Sequence, residues 1–267
     1  MVSMKKFAVI GNPIEHSLSP EIHQLFSSQH SETIEYKKIL STKENFAEDV
    51  KTFFKDGGLG MNVTIPFKED AFTLSDNHDE ISKICSVSNT LYSQDGKIMS
   101  YNTDGTGLLN DLSNKSIKIE NREILVIGAG GSSKSILHSL SRINPASLTV
   151  LNRTQEKIAS LQESLKINTQ IQAFEEGIGF DLIINTTPIS MLESEISFPD
   201  SIFKKGSISY DLFYSQSKTK FQLWSEKCGA SESYNGIGML IEQAALSYEI
   251  WNNYKPKTEK IAEHLGF

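Results

Sequence analysis

Apolar and polar positions along the chain fall into two alternating patterns. "FAVIG" (7–11) is a short apolar run closed by glycine and predicts a buried strand. "PEIHQLFSSQH" (20–30) has helical spacing, whereas "IEYKKIL" (34–40) alternates as a half-buried strand does. "ENFAEDVKTFFKDG" (44–57) sets Phe46, Val50, Phe53 and Phe54 on one helical face and ends in glycines. "GMNVTI" (60–65) predicts the next strand, stopped by Pro66. "NTLYSQDGKIMSYNT" (89–103) predicts a hairpin turning at Asp95-Gly96.

A second series follows. "EILVIGAGG" (123–131) predicts a strand running into a glycine turn, and "SSKSILHSLSRI" (132–143) a helix. "SLTVLNR" (147–153) reads as strand and "TQEKIASLQESL" (154–165) as helix. "TQIQAF" (169–174), "FDLIINTTP" (180–188) and "GSISYDLFY" (206–214) are further strands. "GIGMLIEQAALSYEIWNN" (236–253) and "TEKIAEHLG" (258–266) are helical. Strands alternating with helices imply an α/β chain of mostly parallel sheets covered on both faces. The expected organisation is a first α/β domain over 1–103, completed by the terminal helices 237–267, and a second over 104–236.

Composition narrows the partners. The 267 residues are 38% hydrophobic and 22% charged, which suits two modest globular domains. The net charge is -7 and "YKPKTEK" (254–260) is short and interrupted by acid, so no nucleic-acid partner is expected. No run reaches the ~18 apolar residues of a membrane span, and "FAVI" is too short for a signal-peptide core of about 7–15 residues. A cytoplasmic protein without membrane association is therefore expected, with Cys85 and Cys228 as reduced thiols. Glu15, His16 and His23 match no common ligand spacing, and no metal is expected. Monomer and homodimer both remain open.

The glycine turn carries the first candidate chemistry. Gly128, Gly130 and Gly131 lie between strand and helix, where a pyrophosphate needs a tight turn, bare backbone and helix N-terminal amides. Ser133 replaces the third glycine of the usual pattern. The next strand ends in Asn152, Arg153 and Thr154 and brings no acid until Glu156. An acid there would hold an NAD ribose, whereas a guanidinium attracts the 2′-phosphate of NADP. NADP is the expected cofactor.

Lys68 follows Pro66 at the mouth of a core strand. It is either a surface residue leaving the core or a proton donor held in a cleft. Asp104 offers the same choice, since it could simply cap the helix of "TDGTGLLNDL" (103–112). Ser19-Pro20 is a good helix start, cap then proline, while Ser17 is not needed for that cap. Two hydroxyls beside a helix N-terminus suit a carboxylate, so a small anionic substrate is expected.

These stretches form an ordered set. "GNPIEHSLSPEIHQ", "NVTIPFK", "SNTL", "NTDGTG", "GAGGSS", "NRT", "NTTP", "DLFY" and "NGIGMLIEQAA" together resemble the shikimate dehydrogenase family over nearly the whole chain. The resemblance implies a substrate-binding domain, a Rossmann-like NADP-binding domain and a cleft between them. It implies reversible, NADPH-dependent reduction of 3-dehydroshikimate to shikimate in aromatic amino acid biosynthesis. By position it implies that Ser17 and Ser19 hold the substrate carboxylate. Thr64, Lys68, Asn89, Asp104 and Gln243 would bind the hydroxyls and the reacting carbonyl, with Tyr214 on the substrate side and Lys68 and Asp104 as the catalytic pair. Gly128, Gly130, Gly131, Asn152, Arg153 and Thr154 match cofactor positions, and Thr187, Gly236 and Met239 match positions near the nicotinamide. Met239 and Gln243 are four residues apart, hence on one helix face. Gln24, Ser88 and Gln216 depart from the family's usual asparagine, apolar residue and proline. The alternatives are a quinate/shikimate dehydrogenase using NAD or NADP, and a non-catalytic NADP-binding sensor.

Overall fold

The computed structural model describes residues 4–165, 167 and 169–267. The chain divides into two compact units, one up to Gly107 together with Leu240–Leu265, the other Leu108–Met239 with Gly266–Phe267.

The first series builds β1 (Lys5–Gly11), α1 (Ser19–Ser28), β2 (Ile34–Leu40), α2 (Phe46–Lys55) and β3 (Gly58–Val63). After β3 come α3 (Lys68–Leu74), β4 (Asn77–His78), α4 (Glu80–Cys85), β5 (Thr90–Gln94) and β6 (Lys97–Tyr101). Helix α5 (Asp104–Asn114) leads out of this unit. The sheet order is β2-β1-β3-β5-β6-β4. It is mixed, because β5 runs antiparallel to both β3 and β6. The hairpin turns at Asp95 (φ 50°) and Gly96 (φ 74°), the left-handed pair that matches strand twist.

Alternation along β1 serves both faces of this sheet. Ala8 and Ile10 join Phe46, Val50, Met61, Phe67 and Leu91 under α2 and α3. Phe7 points the other way and stacks on Trp251, with ring centroids 4.9 Å apart.

The second series builds β7 (Glu123–Ile127), α6 (Gly131–Ser141), β8 (Ser147–Leu151), α7 (Glu156–Leu165), β9 (Ile171–Ala173) and β10 (Phe180–Asn185). It closes with β11 (Phe203–Asp211), α8 (Lys220–Lys227) and β12 (Glu232–Tyr234). All the pairings in the order β12-β11-β10-β7-β8-β9 are parallel. Central strands such as "EILVI" are continuous apolar runs because both faces are covered. Helix α9 (Ile237–Asn252) follows, and the last predicted helix is a single turn, α10 (Ile261–His264). Cys85 and Cys228 are free thiols. No helix among the described residues is long and apolar enough to cross a membrane.

His23 sits at the bottom of the first unit's core, wholly buried and stacked between Tyr36 and Trp251. Its Nε2–H donates to Asn62 Oδ1 at 3.1 Å, while Nδ1 meets no donor. Protonation would bury a charge and an unpaired N–H together, so burial lowers its pKa to about 3. The unfolded chain binds this proton below about pH 6.5 and the fold does not. Stability should therefore fall with pH from about 6.5 towards 3, by about 2 kcal/mol between pH 7 and pH 5. Urea titrations of wild type and His23→Phe at both pH values test this. The variant keeps an aromatic stack and should lose that share of the pH dependence.

Candidate active site and dinucleotide turn

In the first sheet the chain winds from β1 to β2 and then returns to place β3 on β1's other side. Loops leaving strands at such a reversal diverge and leave room for a ligand. Here they are tied by Asn12 N–H to Ile65 O (2.9 Å) and Thr64 N–H to Ile10 O (3.0 Å). Because β5 is antiparallel, its start lies beside the end of β3 and the end of β6, in the registers Asn62↔Thr90 and Thr90↔Tyr101. Residues after β3, before β5 and after β6 thus share one sheet end.

Lys68 does not end the strand but opens α3, after a turn anchored by buried Phe67 on Phe46. Its Nζ lies 2.5 Å from Asp104 Oδ2, the two side chains being 16% and 5% exposed. Asp104 is the first residue of α5, not its cap. Asn102 Oδ1 accepts the Asp104 N–H instead (3.2 Å). Both Asp104 oxygens are engaged, Oδ1 by Asn89 Nδ2 at 2.8 Å. Asn89 also donates to Gln243 Oε1 (3.1 Å) and Thr103 Oγ1 (2.8 Å). Gln243 is seated over Gly107, where a Cβ would stand 2.7 Å from its own.

The two serines lie on the loop after β1. Helix α1 begins at Ser19, so its cap is Leu18 and Pro20 falls in the first turn. Ser19 is therefore not the cap that the Ser-Pro pair predicts. Instead Ser17 Oγ accepts the Ser19 N–H (3.3 Å) and donates to Ser19 Oγ (3.2 Å). Thr64 is half-buried beside Gly11, whose added Cβ would meet its Cγ2.

The second sheet reverses its winding between β7 and β10, and the glycine turn leaves β7 there. Gly128 has φ 110°, with Thr186 Oγ1 2.5 Å from where a Cβ would be, so a side chain is both strained and blocked. Gly130 has open space over its backbone, and α6 starts at Gly131. This cradle fits a dinucleotide's pyrophosphate. Ser133, at the third glycine position, accepts the Gly130 N–H (3.2 Å) and bonds Thr186 Oγ1 (2.6 Å), so its hydroxyl braces the turn. After β8, Asn152 Nδ2 donates to Thr154 O (2.8 Å), and Arg153 is exposed between them.

Thr187 Oγ1 donates to Asn185 Oδ1 (2.7 Å), and Asn185 Nδ2 to Asp211 Oδ1 (2.8 Å). Ser190, Thr219 and the Phe213 N–H also donate to Asp211. Burial nevertheless pushes this carboxyl up. Gly236 is wedged against Leu212 O, and its N–H donates to Phe213 O (2.9 Å). Met239 N–H donates to the Tyr210 hydroxyl (3.3 Å), which donates to Asp111 Oδ2 (2.7 Å). Tyr214 follows β11 and packs at 6.4 Å edge-on to Phe267.

Asn62, Asn185 and Asp211 fall within the stretches "NVTIPFK", "NTTP" and "DLFY" but are given no role by them, and Tyr210 lies just before the last. A signal exists for the polar ones. Asn62 interrupts an apolar strand and Asn185 and Asp211 end theirs, and a buried polar side chain needs partners.

Comparison with known proteins agrees with the fold. Residues 9–91 match the family model for the shikimate dehydrogenase substrate binding domain, 111–188 that for shikimate / quinate 5-dehydrogenase, and 236–265 that for the shikimate 5'-dehydrogenase C-terminal domain. A shikimate dehydrogenase (NADP(+)) of Alteromonas mediterranea is 39% identical, covering 98% of this chain and 96% of the relative. One of Legionella pneumophila is 38% identical over 98% of both. The crystal structure of an Ael1 enzyme from Pseudomonas putida is similar at a TM-score of 0.89 and 33% identity, over 98% of both chains. That of shikimate 5-dehydrogenase from Thermus thermophilus, in complex with NADP(H) and shikimate, is similar at 0.87 and 25% identity, over 97% of this chain and 98% of that one. Fold and matches together define a two-domain α/β oxidoreductase. The chain belongs to the shikimate dehydrogenase family.

Proposed function

We propose that the protein is an NADP-dependent shikimate dehydrogenase that interconverts 3-dehydroshikimate and shikimate. The observation that carries this reading is the 2.5 Å Lys68–Asp104 pair, joined through Asn89 to Gln243. Reduction of a ketone adds a hydride to carbon and a proton to oxygen. NADPH, when bound, supplies the hydride. Lys68 donates the proton, or a hydrogen bond, to the oxygen as negative charge develops there, and recovers its proton from solvent. Asp104 holds the ammonium and accepts from the neighbouring substrate hydroxyl. Ser17 and Ser19 bind the substrate carboxylate, and Thr64, Asn89, Tyr214 and Gln243 orient its ring.

The domain assignment belongs to the same reading. Residues 1–103, completed by 237–267, form the substrate-binding domain, and 104–236 form the NADP-binding domain, whose Gly128, Gly130, Gly131, Asn152, Arg153 and Thr154 hold the cofactor. Thr187, Gly236 and Met239 face the nicotinamide. The protein acts in the cytoplasm as a monomer or homodimer.

Following nicotinamide absorbance with shikimate and with quinate, each with NADP and NAD, tests the reading. Turnover is expected to be fastest with shikimate and NADP. No turnover with any pair overturns it. The cofactor choice has its own test. Arg153→Ala should raise the KM for NADP by about 10–100-fold, the range of one lost charge-assisted contact of about 1.5–3 kcal/mol, and leave that for NAD within about twofold.

A further inference from the structure

We propose that Thr90 is a positioning residue for this reaction, fixing which way round the Asn89 carboxamide faces. The two ends of that amide are nearly the same shape, so packing alone does not select between them. Flipped, Asn89 would set Oδ1 against a carboxylate oxygen of Asp104 and the amide oxygen of Gln243. The observed orientation is held by two donors to Oδ1, the Thr103 N–H (2.9 Å) and the Thr90 hydroxyl (3.1 Å). Thr90 is fully buried, so water does not stand in for its hydroxyl.

Thr90 is itself a link in a directed chain. Tyr36 and His23 both donate to Asn62 Oδ1, at 2.7 and 3.1 Å. Asn62 Nδ2 donates to Ser247 Oγ (3.0 Å), and Ser247 lies 2.7 Å from Thr90 Oγ1. If Thr90 gives its one hydrogen to Asn89, Ser247 must be the donor of that short bond. Every hydrogen then points the same way, from Tyr36 and His23 through Asn62, Ser247, Thr90 and Asn89 to Asp104 Oδ1 (2.8 Å). Bonds in such a chain polarise one another and hold the carboxylate in one orientation. Ser247 has a fallback acceptor in Gln243 O (3.0 Å), whereas Thr90 is the sole side-chain hydroxyl donating to Asn89 Oδ1 among the described residues. The larger effect therefore belongs to Thr90.

This inference rests on the dehydrogenase reading above, and turnover of the wild type with shikimate and NADP is its control. Thr90→Val removes the hydroxyl at constant volume, and Thr90→Ser keeps it. The expected result is a kcat about tenfold lower in Thr90→Val, with NADP affinity by calorimetry unchanged and Thr90→Ser within about twofold of wild type. Ser247→Ala should fall in the same direction by a smaller factor, and it serves where Thr90→Val does not fold. Wild-type turnover with Thr90→Val equal to it overturns the proposal. So does equal loss in Thr90→Val and Thr90→Ser, which marks packing as the cause. An inactive wild type overturns the reading beneath it instead.

Discussion

A Lys68→Met variant is expected to turn over roughly 10²–10⁴ times more slowly than wild type, with its affinity for NADP preserved. In barrier terms that is about 2.7–5.4 kcal/mol, the range of a lost proton donor at a developing oxyanion. Methionine keeps the side chain's bulk and removes its charge. Asp104, 5% exposed in its side chain, would be left with Asn89 as its named partner. Breaking a buried ion pair costs about 3–5 kcal/mol of stability, but the 16% exposure of Lys68 reduces that figure here. Kinetics should thus be measured well below the variant's melting temperature. NADP binding, followed by calorimetry, reports the glycine turn and separates lost chemistry from lost fold. Turnover within threefold of wild type would remove Lys68 from the mechanism.

Trp251→Ala is expected to destabilise the protein by about 3–5 kcal/mol, read as a lower midpoint in urea. The indole stacks on Phe7 and His23, with centroids at 4.9 and 5.2 Å, and its Nε1–H donates to Leu91 O (3.0 Å). Gly60 lies flat against it, since a Cβ there would stand 2.3 Å from the ring. This one side chain fastens the far end of α9 to β1, β3 and β5. Its loss leaves a cavity that Gly60 cannot fill and removes the indole's hydrogen bond to Leu91 O. Trp251→Phe should recover most of the stacking and lose chiefly the hydrogen bond. An unchanged midpoint in Trp251→Ala would show that α9 is held elsewhere.

Much of the architecture is legible in the chain because local chemistry and burial agree. Asp95-Gly96 tolerates left-handed backbone, so the hairpin between β5 and β6 is visible before any tertiary contact is known. Continuous apolar runs in β7 and β10 signal strands covered on both faces. Short elements are less visible. Strand β4 is two residues long and β12 three, too short to show any period. The antiparallel insertion of β5 is hidden as well, because strand direction depends on partners distant in sequence. That insertion brings Lys68 and Asp104, 36 positions apart, to 2.5 Å. Their spacing carries no such information. The cap at Leu18 is missed for a different reason. Ser-Pro is a strong start signal, yet proline is also tolerated one position further in.

The Asn89 carboxamide has a further consequence for selectivity. Both its hydrogens and both lone-pair directions are already taken by protein groups. A ligand hydroxyl arriving there exchanges one bond for another. A deoxy analogue therefore strands no polar atom, because Gln243 and Thr103 simply keep their hold. Discrimination at this spot should sit near the ~1 kcal/mol of an ordinary exchanged bond, far from the 10⁴–10⁵-fold rejection of sites whose polar groups depend on the ligand.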